Sequence, residues 1–314
     1  MTMFWRSSTV WSRSTWPGVL AILVVMGIST VSTTAEAQEL EPRSYMNIPI
    51  NQQFLIIGVG HSTGEVMPSP TVPVEDVQLD INVLALAYAR SFDLLGKSAK
   101  FDIQTFRSCY EGSGLVYGNP ERVDRCEWGD TRVRLSWNLL GGPALPLEDF
   151  RRLYKPGFTL GASVQVEAPT GDYKSERLIN AGTNRWMLRP GFGMSYQWGS
   201  WYADASLDVK LFQDNNNYLG NRIEQDPIYQ AQFHVVRYFP KGIWFALNSN
   251  FYRGGHSYRD GAPLLNDLEN SRLGLTASFP LGKQHSIKLN ASRGVVTRIG
   301  SDFDSVALSY QYRF

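Results

Sequence analysis

The sequence predicts an all-β protein: a transmembrane antiparallel up-and-down β-barrel of about twelve strands, preceded by a cleaved signal peptide. The last nine residues alternate apolar and polar side chains and end on the aromatic Phe314. The same period-two alternation recurs through the rest of the chain. An apolar run near the N-terminus resembles a secretory leader. Together these observations favour strands that present apolar side chains to lipid. An edge strand of a soluble sheet, or a sandwich, is the alternative.

The predicted leader covers residues 1–37. Arg6 and Arg13 precede the apolar run at residues 19–26, and Ala35 and Ala37 supply the small residues of a cleavage site. The run is shorter than the roughly 20 residues of a spanning helix, and polar residues follow it directly. Cleavage before Gln38 is therefore expected, and a permanent anchor helix is the alternative.

Composition excludes little but favours the membrane over nucleic acid. The 314 residues carry a formal net charge of only +1, whereas nucleic-acid-binding proteins usually have a basic face. The 16 Phe, 15 Tyr and 9 Trp residues suit the aromatic belts of a membrane barrel. We therefore expect the outer-membrane lipid bilayer, and no nucleic acid, as a partner.

Twelve runs of alternating residues predict the strands, and an even number returns both barrel ends to the periplasm. The runs are residues 54–60, 79–92, 101–105, 131–139, 158–167, 186–196, 201–211, 229–235, 243–250, 273–279, 287–291 and 306–314. The long connections, expected on the cell exterior, are residues 62–78, 110–128, 169–184, 214–227 and 254–271. The barrel therefore covers residues 54–314.

Two segments depart from this strand pattern. Residues 38–53 contain two prolines and no periodicity, which predicts an N-terminal periplasmic or plugging segment. Residues 146–154 place Leu147, Phe150 and Leu153 at helical spacing after a proline. This spacing predicts a short amphipathic helix on the periplasmic side.

Cys109 and Cys126 are the only cysteines, and they lie near the two ends of one predicted outer loop. In an exported chain a disulfide between them is favoured over two free thiols. A metal site is not expected, because the histidines are scattered along the chain. The four histidines are His61, His234, His256 and His285.

Ionic side chains occupy the face opposite the apolar one, where a soluble sandwich could not bury them. They are therefore expected to line the lumen, either as paired charges that stabilise the barrel or as a constriction that sorts solutes. The candidate lumen-lining residues are Arg132, Arg134, Glu167, Arg185, Arg189, Asp204, Asp208, Lys210 and His234.

The sequence gives no support for an enzyme, and we expect no catalytic residue and no cofactor. His61 and Ser62 are adjacent, so in a strand their side chains point to opposite faces. His256 and Ser257 lie in a glycine-rich loop with no third group to orient them. A lipid hydrolase is therefore a minor alternative.

Several segments resemble the outer-membrane transporter family associated with meta-pathway phenol degradation. The similar stretches are residues 45–49, 51–60, 131–144, 167–173 and 178–186. The most specific is the last, which contains Asn180, Gly182, Asn184, Arg185 and Trp186. The resemblance implies a channel or transporter with no catalytic residue, and suggests that this string holds a loop at the barrel mouth.

These patterns together predict an outer-membrane channel or transporter for uptake of small, hydrophobic or aromatic molecules. The alternative is a non-transport structural or interaction barrel that acts through its extracellular loops. Tyr310, Tyr312 and Phe314 share one face of the terminal strand and are a candidate signal for the barrel-assembly machinery. That machinery and a small-molecule solute are the further partners expected.

Overall fold

The computed structural model describes residues 41–67 and 74–314. The predicted signal peptide, residues 1–37, lies outside the described residues, as do residues 38–40 and 68–73. No helix within the two described ranges combines the length and the apolar character needed to cross a membrane. The described part of the chain consists mainly of strands.

Seventeen strands and one α-helix occupy the described ranges. Their bounds are β1 (Gln53–Met67), β2 (Val74–Leu94), β3 (Lys97–Val116), β4 (Asn119–Trp128), β5 (Thr131–Leu140), α1 (Leu147–Leu153), β6 (Phe158–Ala168), β7 (Met187–Trp198), β8 (Trp201–Phe212), β9 (Asn215–Tyr218), β10 (Asn221–Gln225), β11 (Ile228–Tyr238), β12 (Trp244–Gly254), β13 (Ser257–Arg259), β14 (Ala262–Leu264), β15 (Leu268–Pro280), β16 (His285–Val296) and β17 (Gly300–Arg313).

Twelve of these strands close into one antiparallel barrel. The order around the wall is β1, β2, β3, β5, β6, β7, β8, β11, β12, β15, β16, β17 and back to β1. At the closing seam Phe54 lies opposite Arg313, and Val59 lies opposite Leu308. A closed sheet leaves no backbone edge unpaired in hydrocarbon, which is the condition for strands to span a membrane. The predicted fold class is therefore confirmed.

Burial in the barrel wall is the reverse of burial in a soluble protein. Along β12, outward Leu247 and Phe251 are 56% and 48% exposed, whereas inward Asn248 and Asn250 are 1% and 0% exposed. Successive side chains of a strand alternate between the two faces, so the apolar set forms an outer belt and the polar set fills the interior. Because the exposed side chains are the apolar ones, the surface suits lipid.

The predicted outer connections are largely β-structure, which corrects the loop boundaries. β1 continues to Met67 because its upper half pairs with β17, so the first outer connection is shorter than residues 62–78. The predicted loop at residues 110–128 is a hairpin of the upper part of β3 with β4. Its turn is at Tyr117 and Gly118, both with positive φ. These extensions lie beyond the lipid and carry polar side chains on both faces. The sequence there lacks the apolar–polar alternation that predicts a spanning strand.

A second sheet covers part of the same end of the barrel. It contains β9, β10, β13 and β14 and occupies the predicted loops at residues 214–227 and 254–271. Next to it, His256 Nδ1 lies 3.1 Å from Asp267 Oδ2. This contact lowers the pKa of the Asp267 carboxyl by favouring its charged form. Paired hairpins, rather than flexible loops, therefore form the outer surface here.

The opposite end of the barrel has short connections, which marks the periplasmic side. Leu95 and Gly96 make the β2–β3 turn with positive φ, and Gly199 lies in the β7–β8 turn. The longer β5–β6 link contains α1, which begins after Pro146 and has no buried residue. The helix predicted at residues 146–154 is thus present and is shorter by one residue at each end.

We predict that Leu275→Arg destabilises the barrel by about 2–4 kcal/mol, because it places a charge on the lipid-facing belt. Leu275 is 62% exposed and pairs with Leu247 on the neighbouring strand. The measurement is urea-induced unfolding in lipid vesicles. Leu265→Arg is the matched control, since Leu265 is 60% exposed in an outer connection. Equal effects of the two substitutions would contradict the assignment of the belt.

Candidate transport lumen

The inward faces of β5 to β11 concentrate the charged side chains of the wall. Among the candidate lumen-lining residues, the following lie on inward strand positions and are at most 7% exposed: Arg132, Arg134, Glu167, Arg189, Asp204, Asp208, Lys210 and His234. Arg185 lies instead in the connection before β7, where its guanidinium stacks 4.4 Å from the Phe212 ring. It belongs to the barrel mouth rather than to the wall.

Opposite charges on this side of the lumen are paired. Arg132 Nε lies 2.5 Å from Glu167 Oε2. Arg189 and Asp208 approach to 3.6 Å. An isolated charge would be costly at such burial, so pairing is what allows these side chains to fill the interior. These ion pairs join neighbouring strands of the wall, β5 with β6 and β7 with β8.

Polar side chains also join strands farther around the lumen. His234 Nδ1 lies 2.9 Å from Asn248 Oδ1, and Asn248 Nδ2 donates to Thr276 Oγ1 at 2.9 Å. Thr276 Oγ1 in turn donates to Asn290 Oδ1 at 2.8 Å. This hydrogen-bonded row, His234–Asn248–Thr276–Asn290, crosses β11, β12, β15 and β16. It ties four strands together through side-chain hydrogen bonds.

Residues 41–52 fold into the lumen from the short-turn end. Tyr45 is 1% exposed, and its hydroxyl lies 2.9 Å from Ser163 Oγ on β6. Its ring lies on Gly161 and Gly193, which face each other across β6 and β7. A Cβ atom at Gly193 would overlap the Tyr45 ring, and one at Gly161 would lie 2.7 Å from it. The two glycines therefore form a socket for Tyr45.

Further contacts hold this segment along its length. The Arg43 backbone N donates to Asp204 Oδ2 at 2.9 Å, and its guanidinium lies over the Trp244 ring at 4.9 Å. Glu41 accepts a hydrogen bond from Arg134. Ser98 Oγ donates to the Ile48 carbonyl at 3.0 Å. Sequence reasoning did not find these partners, because each joins residues far apart in the chain.

A cavity remains beside the segment. Its volume is about 910 Å³, and it lies between residues 41–48 and the inward faces of β1, β2, β3, β12, β15, β16 and β17. The segment therefore fills the lumen unevenly, against β6 to β8, and leaves space along the closing seam. This space is the site that a solute could occupy.

At the outer mouth, the connection between β6 and β7 is fixed to the end of β4. Asp130 is 2% exposed, and its Oδ1 accepts from the Gly171 N at 2.8 Å. Its Oδ2 accepts from both the N and the Oγ1 of Thr183 at 2.7 Å. Glu127 accepts from the Ala181 N at 3.3 Å and pairs with Arg177. Two carboxylates thus anchor the connection.

Residues 178–186, which carry the strongest family resemblance, also help to hold the β6–β7 connection in place. Asn180 Oδ1 accepts from the Lys174 N at 2.9 Å, and its Nδ2 donates to the Arg177 carbonyl at 3.2 Å. Asn184 Nδ2 donates to Asn215 Oδ1 at 3.0 Å, which joins the connection to β9. At Gly182, a Cβ would lie only 2.9 Å from the backbone of Gly171. The string therefore shapes a compact, hydrogen-bonded mouth.

The remaining candidate residues lie on the outer face. Cys109 and Cys126 are directly opposite on β3 and β4 and are joined by a disulfide. Tyr310 and Phe314 are 39% and 51% exposed beside the short-turn end, and the ring of Tyr312 stacks 5.7 Å from that of Phe314. Within the described ranges, no group of three or more His, Cys, Asp or Glu side chains could hold a metal ion.

A family model described as "Putative MetA-pathway of phenol degradation" matches residues 61–310. The chain belongs to this family. The match covers nearly the whole barrel, including the mouth and most of the lumen wall. No curated protein matches the sequence significantly.

Solved structures share the architecture. An outer membrane channel from Pseudomonas putida F1 is 22% identical, with a TM-score of 0.72 over 88% of this chain and 100% of that chain. The transport unit of the autotransporter AIDA-I from Escherichia coli is 11% identical, with a TM-score of 0.50 over 87% of this chain and 95% of that chain. These likenesses establish the fold, a closed antiparallel β-barrel, and the exposed apolar belt of this barrel suits a surrounding lipid bilayer.

We predict that Asp130→Asn loosens the mouth. The amide would place an N–H group against the N–H of Gly171 or of Thr183, leaving a buried donor unpaired at a cost of about 1–3 kcal/mol. Limited trypsin digestion should then cut faster after Lys174 and Arg177. Asp214→Asn, which alters an exposed pair with Arg222, is the control. Unchanged cleavage in Asp130→Asn would show that the carboxylate is not the anchor.

Proposed function

We propose that this protein is a channel for uptake of small hydrophobic or aromatic molecules across the outer membrane. The observation that carries the proposal is the cavity of about 910 Å³ inside a closed membrane barrel, open beside a segment of the protein's own chain. The description of its family, which concerns phenol degradation, supports aromatic molecules as the solute class. The apolar residues along the closing seam suit such molecules.

The segment at residues 38–53 sets the resting aperture in this proposal, and residues 54–314 form the conducting barrel. Supporting this division, Tyr45 occupies its glycine socket on β6 and β7. Arg43 and Glu41 join Asp204 on β8 and Arg134 on β5. A segment held by many individually replaceable contacts can keep the resting lumen narrow and still shift to admit a solute.

The paired charges of the lumen brace the wall rather than select the solute. Arg132 and Arg189 each face a carboxylate on a neighbouring strand, so their charges are largely neutralised. A ring of charge with one sign would be needed to sort ions strongly. The pairs instead make the side near β5 to β8 rigid, and the solute path lies away from them.

The partners in this proposal are a solute, the bilayer and the machinery that assembles outer-membrane barrels. Tyr310, Tyr312 and Phe314 would be read by that machinery, and their common outward face keeps them accessible along the edge of the last strand before closure. The protein has no enzymatic role in this view. In support, the hydrogen-bond partner of the His61 side chain is Asn82, at 2.9 Å, and that of His256 is Asp267, at 3.1 Å. Neither partner is a serine that the histidine could activate as a nucleophile.

The function is tested by uptake of radiolabelled toluene or phenol in Gram-negative cells that lack general porins. Expression of this barrel should raise the initial uptake rate above that of cells expressing an unrelated barrel at equal abundance. An unchanged rate, with the folded protein present in the outer membrane, would favour the alternative role in surface structure or interaction. In that case the four-stranded outer sheet would be the surface to examine next.

If residues 41–52 limit the aperture, Gly193→Ala should raise single-channel conductance severalfold in planar bilayers. The added methyl group overlaps the Tyr45 ring, so the segment must leave its socket. Gly157→Ala is the control: it adds the same group at a glycine outside the cavity, where the new Cβ has no neighbour within 4 Å. Tyr45→Ala should reproduce the gain without altering the wall. If both variants fold and conduct like the parent protein, residues 41–52 do not limit the aperture.

A further inference from the structure

The open cavity has two chemically different sides. On the side formed by β1 and β2, most lining residues have apolar side chains or none, including Ile56, Gly58, Gly60, Ala85, Ala87 and Ala89, and Ser62 is the polar exception. Cβ atoms added at Gly58 and Gly60 would meet nothing closer than 3.5 Å and 3.6 Å. Because these side chains are short or absent, the protein does not fill the space next to this strip, and a guest molecule can occupy it. We call this strip the apolar wall.

The other sides of the cavity carry an excess of positive charge. Two acidic residues line the cavity, Glu41 and Asp102, and both lie near basic partners: Glu41 binds Arg134, and Asp102 lies 3.9 Å from Lys100. The cavity is lined by five basic residues, which are Arg43, Lys100, Lys283, Lys288 and Arg313. The balance of five basic and two acidic residues gives +3.

Lys288 is the cation of the cavity best placed to hold a guest. Within residues 41–67 and 74–314, the Lys288 amine makes no ion pair with a carboxylate. The Arg43 guanidinium packs against the rings of Trp244 and Tyr238 and donates to Met46 Sδ. The Arg43 guanidinium is therefore already engaged, and the Lys288 amine is the cation available to an anionic group that enters the cavity.

The sheet register places Lys288 at the edge of the apolar wall. Lys288 pairs with Ser309, Ser309 with Gly58, and Gly58 with Ala85. Lys288 and Gly58 are thus two strands apart, about 10 Å at the usual strand spacing. A benzene ring bearing one acidic group matches this distance, with the ring on the apolar wall and the acid beside the amine.

From this arrangement we propose that the cavity binds small organic monoanions with an apolar body, such as aromatic carboxylates or phenolates. The proposal rests on the proposed channel function and narrows its solute class. The apolar wall holds the body by removing it from water, and the excess positive charge favours anions over neutral and cationic analogues. A neutral aromatic molecule uses only one of the two sides, and a cation is repelled by the other.

The test compares three probes of the same shape on the full protein in lipid nanodiscs: benzoate, benzyl alcohol and benzylammonium. Isothermal titration calorimetry should show saturable binding of benzoate, at least about tenfold tighter than that of benzyl alcohol, with no binding of benzylammonium. Raising the salt concentration should weaken binding of benzoate and not of benzyl alcohol. Equal affinity for benzoate and benzyl alcohol would overturn the proposal without reference to any variant.

Two variants separate the two sides of the cavity. Lys288→Gln should weaken benzoate binding about tenfold and leave benzyl alcohol unchanged. Gly58→Leu, whose added Cβ would meet nothing closer than 3.5 Å and whose longer side chain would extend into the cavity, should weaken both by filling the space. Lys155→Gln removes the same charge from an exposed residue outside the cavity and should change neither. Full benzoate affinity in Lys288→Gln would overturn the assignment of that amine.

Failure of this inference is distinguishable from failure of the channel function. If cells take up toluene through the barrel but benzoate does not bind preferentially, the channel stands and the anion site is wrong. If benzoate binds as described but no solute crosses the membrane, the cavity is a binding site in a barrel that does not conduct. Uptake assays and calorimetry therefore test the channel and the anion site independently.

Discussion

The structure depends on the pairing of the first strand with the last. In hydrocarbon, water cannot satisfy a backbone N–H or C=O group, so β1 and β17 must supply each other's hydrogen bonds along their length. Once this seam is closed, each strand has one face toward lipid and one toward a confined interior. The exposure of Leu247 and the burial of Asn248, its neighbour in the chain, are direct results.

Closure also determines how the interior can be filled. Charged side chains that point inward cannot be fully hydrated in a narrow barrel, so they persist where they meet a partner of opposite sign. Arg132 with Glu167 and Arg189 with Asp208 meet this condition between neighbouring strands. Tyr45 then uses the glycine socket beside them. One side of the lumen is consequently solid, and the other, along the seam, is open.

Much of the fold could be predicted from alternation alone, because lipid imposes a strict contrast between the faces of each spanning strand. That contrast located the twelve wall strands and the pairing of the terminal strand with the first. It gave no guidance above the membrane, where β9, β10, β13 and β14 have no lipid to face and the sequence predicts loops. The inward positions of Asp204 and His234 also followed from period two.

The interior partnerships could not be predicted in the same way. The contact of Tyr45 with Gly161 and Gly193 depends on which residues of β6 and β7 lie opposite each other, and on how a segment outside the sheet folds back. Glycines on the lumen face were a signal, but one that a bend or a close strand contact would also produce. Asp130 gave no signal, since its partners are two backbone N–H groups and the Thr183 hydroxyl, all far along the chain.

The hydrogen-bonded row from His234 to Asn290 has a consequence for wetting. Its amide and hydroxyl groups already bind one another across four strands, so part of their hydrogen-bonding capacity is withdrawn from water in the adjoining lumen. Water held by fewer hydrogen bonds is displaced at a lower enthalpic cost. A wall that is polar in composition is thus less firmly hydrated than its residue types alone indicate.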